Sequence, residues 1–184
     1  MDRASTWVSD RARSTADLAD PLAVRSESDV WRILAEVPDP EIPVLNVVEL
    51  GIIRHVRVAE DGQVTVGVSP TYTGCPATEV ICNAIESRLE AEGCHDPRVE
   101  SVLSPAWTSD WLTDSARAKL KEYGIAPPAH AVGNPKHLFR EPKVSCPRCS
   151  SAQTQKLSEF ASTPCKALYR CSSCLEPFEY FKCI

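Results

Sequence analysis

The sequence predicts an α+β fold, a small α-β-β-α-β-α domain followed by a cysteine-stapled module. Three observations predict it. Over residues 26–125 apolar residues switch between helical and alternating spacing; over 126–142 the composition turns to Pro, Gly, Ala, His and Asn without period; two C-x2-C pairs follow within 143–184. A chain of 184 residues is long enough for one good core and a small extra module. Residues 1–25 mix Ser, Ala, Asp and Arg without period and read as a disordered leader, with Trp7 an incidental apolar residue.

The first helix starts at an N-cap supplied by Ser26 or Ser28, with Glu27 and Asp29 at its positive end. Val30, Ile33, Leu34 and Val37 form its core-facing stripe, and Pro38 stops it. Asp39-Pro40-Glu41-Ile42-Pro43 is an extended, stiff loop, because each proline pushes the residue before it out of helical space. A strand from Ile52 to Ala59 turns at Asp61-Gly62 into a second, in which Val64, Val66 and Val68 alternate with smaller or polar residues. The next helix carries Ala77, Val80, Ile81, Ala84, Ile85 and Leu89. After it come a third strand, Val99–Leu103, a Pro- and Trp-containing loop, and a last helix, Leu112–Tyr123, ended by Gly124. Helices on one face of a three-stranded sheet satisfy this order.

The junction Thr71-Tyr72-Thr73-Gly74-Cys75-Pro76 presents a thiol where strand gives way to helix. Pro76 suits the first helical position, which places Cys75 at the N-cap, facing free backbone N–H groups and the positive end of the helix dipole. A thiolate there is nucleophilic and binds soft metals; a small cysteine filling a turn is the alternative. Cys82 and Cys94 read as structural. Trp107 and Trp111 read either as neighbours of Cys75, as partner anchors or as core residues.

Cys146-Pro147-Arg148-Cys149 and Cys171-Ser172-Ser173-Cys174 have the spacing of a four-thiolate metal site. The chain around them supplies three short strands (Thr154–Phe160, Lys166–Arg170 and Pro177–Lys182), which is a zinc ribbon. Metal binding would be its folding energy, because so short a segment buries too little apolar surface to hold itself together. Zinc is the expected ion, with an iron–sulfur cluster the competitor. Cys165 and Cys183 stand outside the tetrad; labile cluster ligands, a redox pair and plain packing residues are all open readings. His130 and His137 fall in the linker and read as solvated.

The chain carries 9 cysteines and a formal charge of −5. The odd count and the clustering point to metal and reactive thiols rather than a disulfide framework. An acidic balance without a dense basic patch excludes an electrostatic nucleic-acid binder, and no apolar run is long enough to span a membrane. With no signal-like start, the expected location is the cytoplasm.

With Asp39-Pro40-Glu41-Ile42-Pro43, Thr73-Gly74-Cys75-Pro76 and Trp107-Thr108-Ser109-Asp110 in view, residues 30–125 resemble the MIP18-type (DUF59) domain of iron–sulfur assembly factors. Phe160-Ala161-Ser162-Thr163-Pro164-Cys165-Lys166-Ala167 and the Phe178–Cys183 ending narrow the likeness to the D-subunit family of the phenylacetyl-CoA epoxidase system. That resemblance implies an accessory role without catalysis of its own. Its partners would be the oxygenase-system subunits, foremost the iron–sulfur and flavin reductase, with a homodimer by analogy and a transient iron–sulfur cluster beside the zinc. Cys75 matches the family's reactive cysteine. Asp39, Glu41 and Thr73 become its candidate pocket, with loop capping the other reading, and Cys75, Cys165 and Cys183 become candidate labile cluster ligands. The chain lacks a pair of Glu-x-x-His motifs on helices, a Gly-rich dinucleotide fingerprint and a plant-type ferredoxin cysteine run, so neither oxygenase nor reductase chemistry fits it. The alternative function is a structural zinc-ribbon module that holds the oxygenase complex together without handling iron.

Overall fold

A computed structural model of the chain describes residues 26–72, 74–128 and 143–182. The leader, Thr73, the linker histidines and Cys183 lie outside the described residues. Helix α1 (Glu27–Leu34) is capped by Ser26, whose hydroxyl accepts from the Asp29 amide, and it buries Val30, Ile33 and Leu34. Strands β1 (Ile53–Val58) and β2 (Val64–Val68) form an antiparallel hairpin. Helix α2 (Ala77–Ala91) then carries the chain to β3 (Arg98–Ser101), which pairs parallel to β2. The sheet order is β1-β2-β3, so β2 is central and the chain leaves its C-terminal end straight into the Cys75 turn. A parallel neighbour requires such a crossover, and β2-α2-β3 is that unit.

Several element ends differ from the sequence expectation; α1 stops at Leu34, so Val37 packs from the turn after it, and the strand ends shift by one or two residues. Helix α2 begins at Ala77 with Pro76 as its cap residue, already helical at φ −65° and ψ −23°, and no side chain caps it. Cys75 is therefore one residue further out than the N-cap position expected for it. The reason is that Cys75 first closes its own turn: its carbonyl accepts from Thr78 N at 3.1 Å and its amide donates to Tyr72 O at 3.0 Å. Strand β3 ends at Ser101. The last helix, α3 (Asp114–Tyr123), starts two residues late because Thr113 caps it, accepting from Ala116 N at 3.0 Å after a single 3-10 turn at Ser109–Trp111. Gly124 ends α3 in the left-handed conformation, φ 96°, as expected.

A second sheet, of order β4-β7-β6-β5, is made from β4 (Ile125–Ala126), β5 (Thr154–Ser158), β6 (Lys166–Cys171) and β7 (Pro177–Phe181). The strand β4 comes directly from the end of α3 and pairs parallel with β7, so residues expected at the domain end and linker start belong to the ribbon's sheet. Side-chain alternation along β7 divides its aromatics. Phe178 and Tyr180 face the ribbon's own cluster with Tyr169, while Phe181, 1% exposed, joins the core of the first unit. There its ring lies 6.1 Å from that of Trp107. Trp107 is thus a core residue, its indole N–H donating to Leu50 O at 3.0 Å. Trp111 is half-buried under the Arg54 guanidinium, 3.6 Å from the ring centroid.

Candidate functional site

One cleft gathers most of the residues singled out around Cys75. Asp39, Glu41 and Ile42 of the proline-rich loop line it, as do Val68 at the end of β2 and Thr71 after it, Cys75 and Ala77 at the head of α2, and Cys165 and Phe181 of the ribbon. It lies where the first unit meets the ribbon. Gly74, at φ +84°, takes the left-handed conformation that brings the chain sharply round to Cys75. Cys75 is half-buried and Cys165 is buried. The interior of the cleft is about 20 Å³; roughly 10–15 Å³ holds one water.

Each wall is fixed by hydrogen bonds. Asp39 Oδ1 accepts from the amides of Glu41 (2.9 Å) and Ile42 (2.7 Å), and the Asp39 amide donates to Leu45 O at 2.8 Å. Asp39 therefore caps its own loop and lines the cleft at once; the two readings of it are not exclusive. Cys165 closes a turn at the head of β6, where Lys166 N donates to Thr163 O and Lys182 N donates to Cys165 O. Its sulfur sits 3.0 Å from Thr163 Oγ1 and points a weak S–H at Glu41 Oε2, 3.9 Å away. The neighbouring Lys166 is buried and paired with Glu179 at 2.8 Å.

Burial sets the electrostatics of this cleft. Desolvation raises the Asp39 carboxyl above its ordinary value, in spite of the two amides and the Lys166 charge that pull it down. Glu41 is raised by desolvation and then by the charge of Asp39, against Lys166 and the Cys165 thiol. Desolvation likewise raises the Cys165 thiol; Glu41 and Cys75 add to the rise, while Thr163 and Lys166 oppose it. Cys82 and Cys94 are raised by burial and lie outside the cleft, in keeping with structural thiols.

The four cysteines of the two C-x2-C pairs converge. Their sulfurs lie within 4.8 Å of one another, with Cys146–Cys174 at 3.7 Å and Cys149–Cys171 at 3.5 Å. A tetrahedron with metal–sulfur bonds of about 2.3 Å has sulfurs roughly 3.8 Å apart, so the tetrad fits a single four-coordinate ion. Amides of Cys174 and Ser173 point at the Cys171 sulfur and hold its thiol down to about 6. An ion held here supplies structure: it ties the turn before β5 to the turn after β6.

Sequence reasoning placed Cys75, Asp39 and Glu41 together. It missed Phe181 as a cleft wall and the approach of Cys165 to Glu41. The available signal was the spare cysteine itself, directly preceding a strand that carries a buried lysine.

Comparison with known proteins matches two family models in series. Residues 27–102 match a family described as iron–sulfur cluster assembly protein, and residues 131–182 match the PaaD zinc beta ribbon domain. A protein of Escherichia coli (strain K12), named as the D-subunit of 1,2-phenylacetyl-CoA epoxidase, is 51% identical over 156 residues, covering 85% of this chain and 92% of that one. An Fe-S protein maturation auxiliary factor of Porphyromonas gingivalis is 36% identical over 98 residues, covering 53% of this chain and 92% of that one. A solved DUF59 domain from Bacillus anthracis aligns with a TM-score of 0.48 at 24% identity, covering 51% of this chain and 90% of that one. The junction cleft and the tetrathiolate ribbon thus occur in a chain that belongs to the phenylacetyl-CoA epoxidase D-subunit family, an iron–sulfur-assembly-type domain joined to a zinc ribbon.

Proposed function

We propose that this chain is a non-catalytic maturation factor of the phenylacetyl-CoA epoxidase system, assisting iron–sulfur cluster assembly or delivery to the reductase subunit. The observation that carries the proposal is the cleft: the half-buried thiol of Cys75, between the head of α2 and an acidic loop, shares a small chamber with a second thiol. Thiolates are the groups that hold iron and sulfide, and a half-buried one at a cleft wall remains within reach of a partner. Relatives named as Fe-S protein maturation auxiliary factors match about half of this chain, and the iron–sulfur cluster assembly family matches residues 27–102, which carry Cys75.

The ribbon, on this reading, takes one structural zinc, and the protein works in the cytoplasm beside its client. Among the described residues no helix is long and apolar enough to cross a membrane. The test is to replace Cys75 with alanine and measure iron and sulfide in the co-expressed reductase. A reductase lacking its cluster, beside a folded variant that keeps its zinc, supports maturation; a cluster-replete reductase refutes it.

A further inference from the structure

We propose that Cys75, Cys165 and Glu41 form a second, exchangeable metal site across the junction, taking a single divalent ion such as ferrous iron. This deepens the maturation reading and rests on it for the ion's purpose, though not for its binding. The three donors come from three separate elements: the turn before α2, the turn before β6, and the loop after α1. All three line one cleft, and the Cys165 sulfur already faces Glu41 Oε2 at 3.9 Å.

Two charged groups at or near the cleft are engaged elsewhere. Asp39 Oδ1 is taken by two loop amides, and the nearby Lys166 ammonium by Glu179. Glu41 is the carboxylate left to turn toward an ion. Two thiolates and one carboxylate make a mixed soft and hard donor set, suited to first-row divalent metals rather than to calcium or magnesium.

Size and openness decide what the site holds and for how long. The cleft interior, about 20 Å³, has room for one ion. Among the described residues only the ribbon tetrad has ligand atoms all within 4.8 Å of one another. The three cleft donors therefore close around an ion only when Cys75 moves inward. A three-donor site that must close to bind, with one wall half-exposed, releases its ion more readily than the closed tetrad. Binding balances simply: the ion enters, the thiols of Cys75 and Cys165 release their protons to water, Glu41 coordinates as the carboxylate, and no electron is exchanged.

The test uses the full chain, loaded with one zinc, kept anaerobic and titrated with cobalt(II) as the spectroscopic probe. The expected result is one cobalt bound per chain with a thiolate-to-cobalt charge-transfer band, the zinc remaining in place. Cys75→Ser and Cys165→Ser each weaken cobalt binding by at least about a hundredfold and Glu41→Gln by about tenfold, at the scale on which supporting groups alone change affinity 10–100-fold. Zinc content and a thermal melt confirm that each variant is folded. Wild-type protein gives a second readout that needs no variant: cobalt slows alkylation of both Cys75 and Cys165, followed peptide by peptide by mass spectrometry. A zinc-loaded chain that takes up no cobalt overturns the site, as does a folded Cys165→Ser variant with an undiminished band, or protection of Cys75 alone. The two proposals fail separately. Cobalt held by both thiols while Cys75→Ala leaves the reductase clustered keeps this site and discards maturation; the reverse discards only this site.

Discussion

The two units of this chain are held together by different physics. The first buries a continuous apolar cluster running from Val30 and Leu34 through Val64, Val66 and Val68 to Ile85, Leu89 and Leu120, all nearly inaccessible. The ribbon has a small cluster around Tyr169, Phe178 and Tyr180, and two of its buried members, Cys146 and Cys171, belong to the cysteine tetrad. Its aromatic contacts are sound, with Tyr169 5.9 Å from Phe178 and 5.6 Å from Tyr180, yet they cover one face of a narrow sheet. A domain of the first kind folds on apolar burial, whereas one of the second kind folds on its ion. The Cys75 cleft lies between them, so its integrity depends on the weaker partner.

Removing the ion is the harshest way to break that contrast. Structural zinc in small modules contributes on the order of 10–16 kcal/mol of apparent binding energy near neutral pH, which is more than a ribbon of this size stores in its core. Cys171→Ser, or a strong chelator, is expected to unfold residues 143–182 while the helices of the first unit persist. Limited proteolysis with zinc analysis checks it: cleavage confined to the ribbon supports the contrast, and loss of the whole far-ultraviolet helical signal contradicts it.

Phe181 is where the two units share a core, and it sharpens the comparison. The side chain belongs by sequence to the ribbon and by packing to the first unit, against Trp107. Phe181→Ala should cost about 3–5 kcal/mol, as large-to-small core changes do. The loss should appear in the first unit's unfolding transition, whereas Phe178→Ala should weaken the ribbon alone. Denaturant melts with zinc retained distinguish the two, and equal effects of both variants on the first unit would show that the division of β7 by face is wrong.

How much of this was legible in the chain follows from how local each signal is. The Asp61-Gly62 turn, the Gly124 stop and the two C-x2-C pairs depend on residues within a few positions of one another and stand as expected, as does the α1 stripe except for Val37, which is buried but lies past the helix end at Leu34. The cap of α2 was misplaced by one residue because Cys75 spends its backbone on a preceding turn, a competition that helix preferences do not show. The approach of Cys165 to Glu41 joins residues 124 positions apart, and no spacing rule reaches that far. Phe181 looked like one more ribbon aromatic, since only the register of β7 against β6 tells which face it occupies.

A smaller effect probes the cleft wall. Asp39→Ala leaves the amides of Glu41 and Ile42 without their acceptor in a mostly buried loop, and is expected to cost about 1–3 kcal/mol. Asp39→Asn keeps a carbonyl acceptor and should cost far less. Because burial raises the Asp39 carboxyl in the folded chain, the wild-type side chain favours folding most at low pH, below its unfolded value, and loses that contribution as pH rises through the folded one. Asp39→Asn should accordingly remove a decline in stability on the alkaline side of the ordinary carboxylate range. Unfolding curves for the two proteins across that range decide it; parallel curves would mean that Asp39 ionises in the loop without cost.

The smallest expected effect has the opposite sign and belongs to the first unit alone. Glu49 ties α3 to the turn before β1: it accepts from Asn46 Nδ2 at 3.0 Å, Ser115 Oγ at 3.1 Å and Lys119 Nζ at 2.8 Å. Burial pushes its carboxyl up, but the Lys119 and Asn46 hydrogen bonds outweigh that and hold it below the ordinary value of 4.5. A depressed carboxyl contributes stability that is present above its unfolded value and is lost as pH falls through the folded one. Lys119 is 44% exposed, so screening keeps the pair's worth to about 0.5–1 kcal/mol. Glu49→Gln should therefore lower stability by that amount at neutral pH and by nothing once the wild-type carboxyl is protonated, so that the curves of variant and parent converge below the carboxylate range. A zinc-loaded ribbon responds to acid in the same direction, because its thiols must shed protons to hold the ion. The measurement is clean only on the first unit's own transition, followed by Trp107 fluorescence, and a gap between the two proteins that persisted at low pH would assign Glu49 a packing role instead.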